Sequence, residues 1–326
     1  MTASRPWRAV EQVMGLPVSV ALRGRHAGDA RGRAAWAAVV SELREVDRVF
    51  STYRPDSVVS RLDRGEIPLH DVPPEVHEVL ALGERARRES AGAFDVRRPD
   101  ATGVVRLDPS GVVKGWAVQR ACAHLAALTD TDFCLGGGGD LVGRVVDPDS
   151  PAWQVGIEDP HDPTRLVARV PLRDGAVATS AETHRGAHVV DARTGLRPRG
   201  LASVTVTAPD LTTADIEATA AFAMGVDGID WLAVRTDATD RTVLVVLADG
   251  TVLATQSARC LAASSPVVAS PVGAGAAGGS GAPGETGTPG AGVTASWGVP
   301  GVTGAGSAPG VPSSVEAFMS GPVTGR

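Results

Sequence analysis

Cysteine is scarce: Cys122, Cys134 and Cys260 are the only three in 326 residues, and they stand far apart. That spacing excludes a CxxC metal site and a disulfide framework, and reads as small buried apolar residues in a reducing compartment. Clusters of Lys or Arg are missing too, and the net charge is −6, which argues against nucleic acid or an anionic membrane as a partner. No run approaches the roughly 20 apolar residues of a membrane span. The N-terminus, Met1-Thr-Ala-Ser-Arg-Pro-Trp-Arg8, has neither the apolar core of a signal peptide nor a nearby cysteine for a lipid anchor. A cytoplasmic protein that does not itself span a membrane is therefore expected. A G-x-S-x-G elbow, a Cys/His dyad and a GK[ST] phosphate loop are absent as well.

Charge runs out toward the C-terminus. From Ser264 to Arg326 the chain is almost entirely Gly, Ala, Pro, Ser, Thr and Val, and only Glu285, Glu316 and Arg326 are charged. Ordering such a segment is entropically costly and little apolar surface repays it, so residues 263–326 are expected to be a disordered tail. What remains, residues 8–262, is long enough for one sizeable core.

In that unit strands and helices mix without a regular βα repeat. Glu11 to Leu22 reads as a strand interrupted at Gly15-Leu16-Pro17. Arg31 to Phe50 carries Ala35, Val39, Leu43, Val46 and Val49 on one helical face. Pro73-Pro74-Glu75 opens a second helix that stops near Gly92, and a third runs from about Gly111 to Leu128. Short strands follow: 133–135, 141–146, 153–157, 166–170, 176–178, 189–190 and 203–207. Asp215 to Met224 is a helix, and Arg241 to Thr255 is a hairpin turning at Asp249-Gly250. The pattern predicts an α+β fold of mixed, mainly antiparallel sheets with flanking helices.

Four features could carry chemistry. Leu135-Gly-Gly-Gly-Gly-Asp140 suits either a hairpin turn or a backbone cradle that a ligand approaches closely. Asp215 and Thr219, four apart, share a helix face and form a hard-oxygen pair suited to Mg²⁺; a helix-terminal Asp beside a buried Thr is the alternative. His188 opens the apparent strand His188-Val-Val-Asp191, as a base at neutral pH or as a surface histidine. Lys114, near a helix start, suits a phosphate or simply water.

Taken together and in order, these segments resemble the ApbE family, the FAD:protein FMN transferases. The resemblance rests on Val13-Met14-Gly15, Phe50-Ser-Thr-Tyr53 with Ser57, Gly92-Ala93-Phe94-Asp95, and Leu107-Asp108 with Lys114-Gly-Trp-Ala-Val118. It continues through Leu135–Asp140, Trp153–Ile157, Ala178-Thr179-Ser180, His188–Asp191 with Thr194-Gly195, Ser203–Val206, and Ala214-Asp215 with Ala218-Thr219. It implies transfer of FMN from FAD to a threonine of a partner protein, with Mg²⁺ and release of AMP. On the same resemblance Asp215 and Thr219 would ligate the metal through side chains and Gly111 through its carbonyl. Met14, Tyr53, Ala93, Phe94, Asp95, Asp108, Lys114 and Val190 would line the FAD pocket, and His188 would be the base.

The chain departs from the family pattern at several places. Leu16 replaces a threonine, Val96-Arg97 replaces Pro-Thr, Ala181 replaces a glycine and Ala192 a proline. Family acceptors carry a motif resembling Asp-Gly-Ala-Thr; the nearest segment here, Asp174-Gly175-Ala176-Val177, has no hydroxyl. A separate acceptor flavoprotein is thus expected, with a membrane redox protein as one candidate. An FAD pyrophosphatase and a non-catalytic FAD-binding protein are the competing readings.

Overall fold

The computed structural model describes residues 6–99, 102–181, 189–236, 241–255 and, as a strand only, 294–296. Strands β1 (Trp7–Val13) and β2 (Leu16–Gly24) form a hairpin. The segment expected as one interrupted strand is therefore two. The turn is Met14-Gly15, both in the left-handed region (φ 57° and 68°), the two-residue geometry that matches strand twist. Helix α1 (Ala30–Phe50) follows, capped by the Asp29 carboxylate accepting from the N–H of Gly32 at 2.8 Å.

A short α2 (Val58–Asp63), which the sequence did not announce, leads to α3 (Pro74–Glu89) with proline at its first position. A small hairpin, β3 (Arg97–Pro99) and β4 (Val105–Leu107), precedes α4 (Ser110–Ala121) and the brief α5 (Ala123–Ala126). The expected third helix is thus divided at Cys122.

Strands β5 (Thr131–Gly137) and β6 (Asp140–Arg144) meet at a tight Gly138-Gly139 turn, both glycines at positive φ. The glycine run thus forms a hairpin turn. Then come β7 (Trp153–Asp159), β8 (Asp162–Leu172), β9 (Asp174–Ala181) and β10 (Leu201–Ala208). Helices α6 (Leu211–Met224) and α7 (Asp227–Thr236) precede the hairpin β11 (Thr242–Leu247) and β12 (Val252–Ala254). Val189 and Val190, expected as a strand, lie in irregular chain. The last described strand, β13 (Thr294–Ser296), pairs with β7 and falls within the segment expected as a tail; the rest of that segment lies outside the described residues.

The main sheet has eight strands in the order β1-β2-β5-β6-β9-β10-β11-β12, every neighbour antiparallel. Period-two alternation buries both faces. Val20, Leu22, Phe133, Leu135, Val142, Ala176, Ala178, Val204 and Val206 join the helices in one core. On the opposite face Ala21, Cys134, Leu141, Val177 and Val246 pack against Val155, Ile157, Leu166 and Leu172 of the β7–β8 hairpin. Cys134 is fully buried and Cys122 buried, and burial pushes the Cys122 thiol up to about 11. Among the described residues no helix is long and apolar enough to cross a membrane.

Candidate functional site

The site forms where α4 and α6 cross the helix-covered face of the sheet. Asp210 caps α6, its carboxylate accepting from the N–H of Thr213 at 2.8 Å, while Gln119 of α4 accepts from the N–H of Leu211 at 2.8 Å. Trp116 ties α4 back to α1 and α3 through an edge contact with Phe50 and an indole N–H donated to Glu78 at 2.9 Å. With both helices fixed, one face of α4 presents Gly111, Lys114, Gly115 and Val118, spaced as neighbours on a helix.

Each of these residues meets something specific. A Cβ on Gly111 would touch the Phe94 ring at 3.0 Å and the Thr219 methyl at 3.9 Å; one on Gly115 would lie 2.7 Å from the Cβ of Asp215. The Gly115 N–H donates to Asp215 Oδ2 at 2.9 Å. Lys114 reaches between two carboxylates: its Nζ is 3.0 Å from Asp215 Oδ1 and pairs with Asp140 Oδ2. The Lys114 ammonium is mostly buried between these two carboxylates.

Asp140 and Asp215 are each 1% exposed. Asp140 Oδ1 accepts from the N–H of Thr179 at 3.0 Å. Burial, only partly countered by Lys114 and reinforced by Asp140, pushes Asp215 up to about 6. One helical turn along α6, the Thr219 hydroxyl meets the Ser180 hydroxyl at 3.1 Å. Two carboxylates on one ammonium, with the paired Thr219 and Ser180 hydroxyls one helical turn along α6, make a hard-oxygen cluster with a surplus of one negative charge. Among the described residues no group of three or more His, Cys, Asp and Glu gathers to hold a metal. Mg²⁺, which keeps water and phosphate oxygens in most positions, is suited by one or two carboxylates, so the donor set fits it.

The other expected residues spread outward from this cluster. Phe94 is buried with its N–H on the Ser90 hydroxyl at 3.0 Å, and the carbonyl of buried Ala93 accepts from Ala192 N–H at 3.0 Å. Asp95 caps the N–H of Arg97 at 2.8 Å. Asp108 donates its N–H to Val96 O at 2.7 Å; against the effect of burial, Ser110 and Arg98 hold its carboxyl below the usual range. Met14 lies in the β1–β2 turn, at the sheet end shared by the glycine turn, where Gly138 N–H donates to Pro17 O at 3.1 Å. Val190 is half-buried in the run before the Asp191 turn. Tyr53, 96% exposed between α1 and α2, packs on none of them. His188 lies outside the described residues.

Asp140 and Ser180 join the cluster without having been assigned a role by sequence. Their signal was strand parity: Asp140 alternates in phase with inward Val142, and Ser180 with inward Ala176 and Ala178. A charged or hydroxyl side chain at such a position needs a partner.

The comparisons agree on one lineage. A relative in Rhodobacter capsulatus described as an FAD:protein FMN transferase is 34% identical over 217 residues, covering 63% of this chain and 37% of that protein. This chain therefore spans little more than a third of that relative's length. Another FAD:protein FMN transferase, from Haemophilus influenzae, is 24% identical over 57% of this chain and 71% of its own. The crystal structure of the ApbE protein from Thermotoga maritima superposes with a TM-score of 0.68 at 21% identity, over 78% of this chain and 99% of that one. The ApbE family model matches residues 14–102 and 97–242, most of the described unit, and the chain belongs to the ApbE family.

Proposed function

We propose that this chain transfers FMN from FAD to a threonine hydroxyl of a separate acceptor flavoprotein, with Mg²⁺ at the site and AMP as the other product. The observation that carries this reading is the buried Lys114–Asp140–Asp215 cluster beside the Thr219 and Ser180 hydroxyls. Family membership and two relatives described as FAD:protein FMN transferases support the substrate. The whole reaction is a displacement at phosphorus. The acceptor oxygen forms a bond to the FMN phosphorus as the bond from that phosphorus to the AMP oxygen breaks; AMP leaves with the electron pair, and the hydroxyl proton goes to a base.

The residues divide the work. Asp215 and Thr219, with the Gly111 carbonyl, would hold Mg²⁺, which when bound neutralises charge on the pyrophosphate. Lys114 supplies a second positive charge where negative charge builds on the leaving group. The Gly138-Gly139 turn, whose residues carry no Cβ, would let a phosphate approach the backbone closely. Ala93, Phe94, Asp95, Asp108, Met14 and Val190 line the FAD pocket, with Tyr53 free to close on a flavin or adenine ring. His188 is the candidate base, a role worth about 10²–10⁴-fold in rate. In this reading the acceptor is a separate flavoprotein and transfer takes place in the cytoplasm.

The test is an incubation of purified protein with FAD, Mg²⁺ and a small acceptor domain bearing Asp-Gly-Ala-Thr. AMP release together with flavin fluorescence on the denatured acceptor supports the transferase. Free FMN and AMP with an unlabelled acceptor would instead show a pyrophosphatase, and intact FAD a binding protein.

A further inference from the structure

Asp140 does two things with one carboxylate. Its Oδ1 takes the N–H of Thr179 at 3.0 Å, just past the last pairing of β6 with β9 at Leu141–Val177, and its Oδ2 takes the ammonium of Lys114. The tight Gly138-Gly139 turn delivers it there, with the strand's alternation aiming the side chain at α4. Lys114 also holds Asp215 at 3.0 Å. With Asp215 as its sole partner, that ammonium would cancel the charge of the expected metal ligand. With Asp140 present, one negative charge is left over in a site where both carboxylates are 1% exposed.

We infer that Asp140 is a positioning residue: it anchors Lys114 beside Asp215 and supplies the surplus negative charge that a divalent cation meets there. The inference rests on the metal reading given above. In this role Asp140 acts through Lys114. It engages the ammonium so that Asp215 remains available to a cation, and it keeps Lys114 in reach of a pyrophosphate bound at the same place. A buried charge set of this kind acts strongly because water does not screen it.

Charge arithmetic makes the test sharp. Asp140→Asn keeps an oxygen for the Thr179 N–H and removes the surplus charge, leaving the cluster neutral. Lys114→Met leaves two uncompensated carboxylates. The double variant returns the cluster to the wild-type surplus of one. Mg²⁺ alone is titrated calorimetrically into the flavin-free full chain of all four proteins, with Asp215→Ala as reference and near-ultraviolet circular dichroism to confirm packing.

Asp140→Asn is expected to weaken Mg²⁺ binding by about 10–100-fold, as outer partners of metal sites do. Lys114→Met tightens it, and the double variant returns to within about threefold of wild type if the charges act through one cluster. Should Asp140→Asn fail to fold, tightening in Lys114→Met and recovery in the double variant still decide the matter. Wild-type affinity in Asp140→Asn, or a double variant no better than Asp140→Asn, overturns the inference and leaves the metal reading standing. A wild type that takes up no more Mg²⁺ than Asp215→Ala overturns both.

Discussion

Gly115 faces Asp215 with no room for a side chain: a Cβ on the glycine would lie 2.7 Å from the Cβ of Asp215 and 2.8 Å from the carbonyl oxygen of Leu211. This contact sets how closely α4 and α6 cross, and so where Lys114 and Asp215 meet. Gly115→Ala forces the helices apart. It is expected to cost about 1–3 kcal/mol in chemical denaturation, and to lower flavin transfer by more than the loss of folded protein explains. Unchanged transfer per folded molecule would count against the crossing as the determinant of the site.

Ser180 and Thr219 share a hydrogen bond between hydroxyls at 3.1 Å. Ser180→Ala leaves Thr219 without that partner while removing only one oxygen. Stability should fall by no more than about 1.5 kcal/mol. Transfer at limiting Mg²⁺ should fall about tenfold, with recovery at high Mg²⁺, if the serine orients a metal-binding hydroxyl.

Tyr53 stands 96% exposed, so its removal takes nothing from the core. Tyr53→Ala should melt with wild type. If its ring stacks on FAD, the dissociation constant for FAD rises about three- to tenfold in a fluorescence-quenching titration. An unchanged constant would remove Tyr53 from the pocket.

Where the family resemblance expects proline, Ala192 donates its N–H to the carbonyl of Ala93 at 3.0 Å. Ala192→Pro deletes that donor. The bond joins the Asp191–Gly195 turn to one wall of the expected FAD pocket. Its loss should weaken FAD binding by roughly fivefold, in keeping with a single hydrogen bond of about 1 kcal/mol. Calorimetric titration with FAD checks this.

The legible parts of the chain are those governed by local rules. Helix α1 showed in the spacing of Val39, Leu43 and Val46, and α3 in its opening proline. Asp215 and Thr219 paired on α6 because both sit on one continuous helix. The split of residues 11–22 into β1 and β2 was obscured by Met14, a residue that seldom takes positive φ. Helices α2 and α7 are short and gave little period to read. Lys114 with Asp140, Ser180 with Thr219, and Gly115 with Asp215 are tertiary meetings between separate elements. Nothing in linear spacing encodes them; only strand parity at Asp140 and Ser180 hinted that buried polar groups awaited partners. His188, whose role as base rests on the resemblance, lies outside the described residues.

The most direct test of the central claim is the intact mass of the acceptor domain after incubation with this protein, FAD and Mg²⁺. The account predicts an added mass of one FMN less one water. The addition should be lost with Asp215→Ala, with a chelator, or when the acceptor threonine becomes valine. An acceptor of unchanged mass beside released AMP, or a mass gain that survives Asp215→Ala, would contradict it.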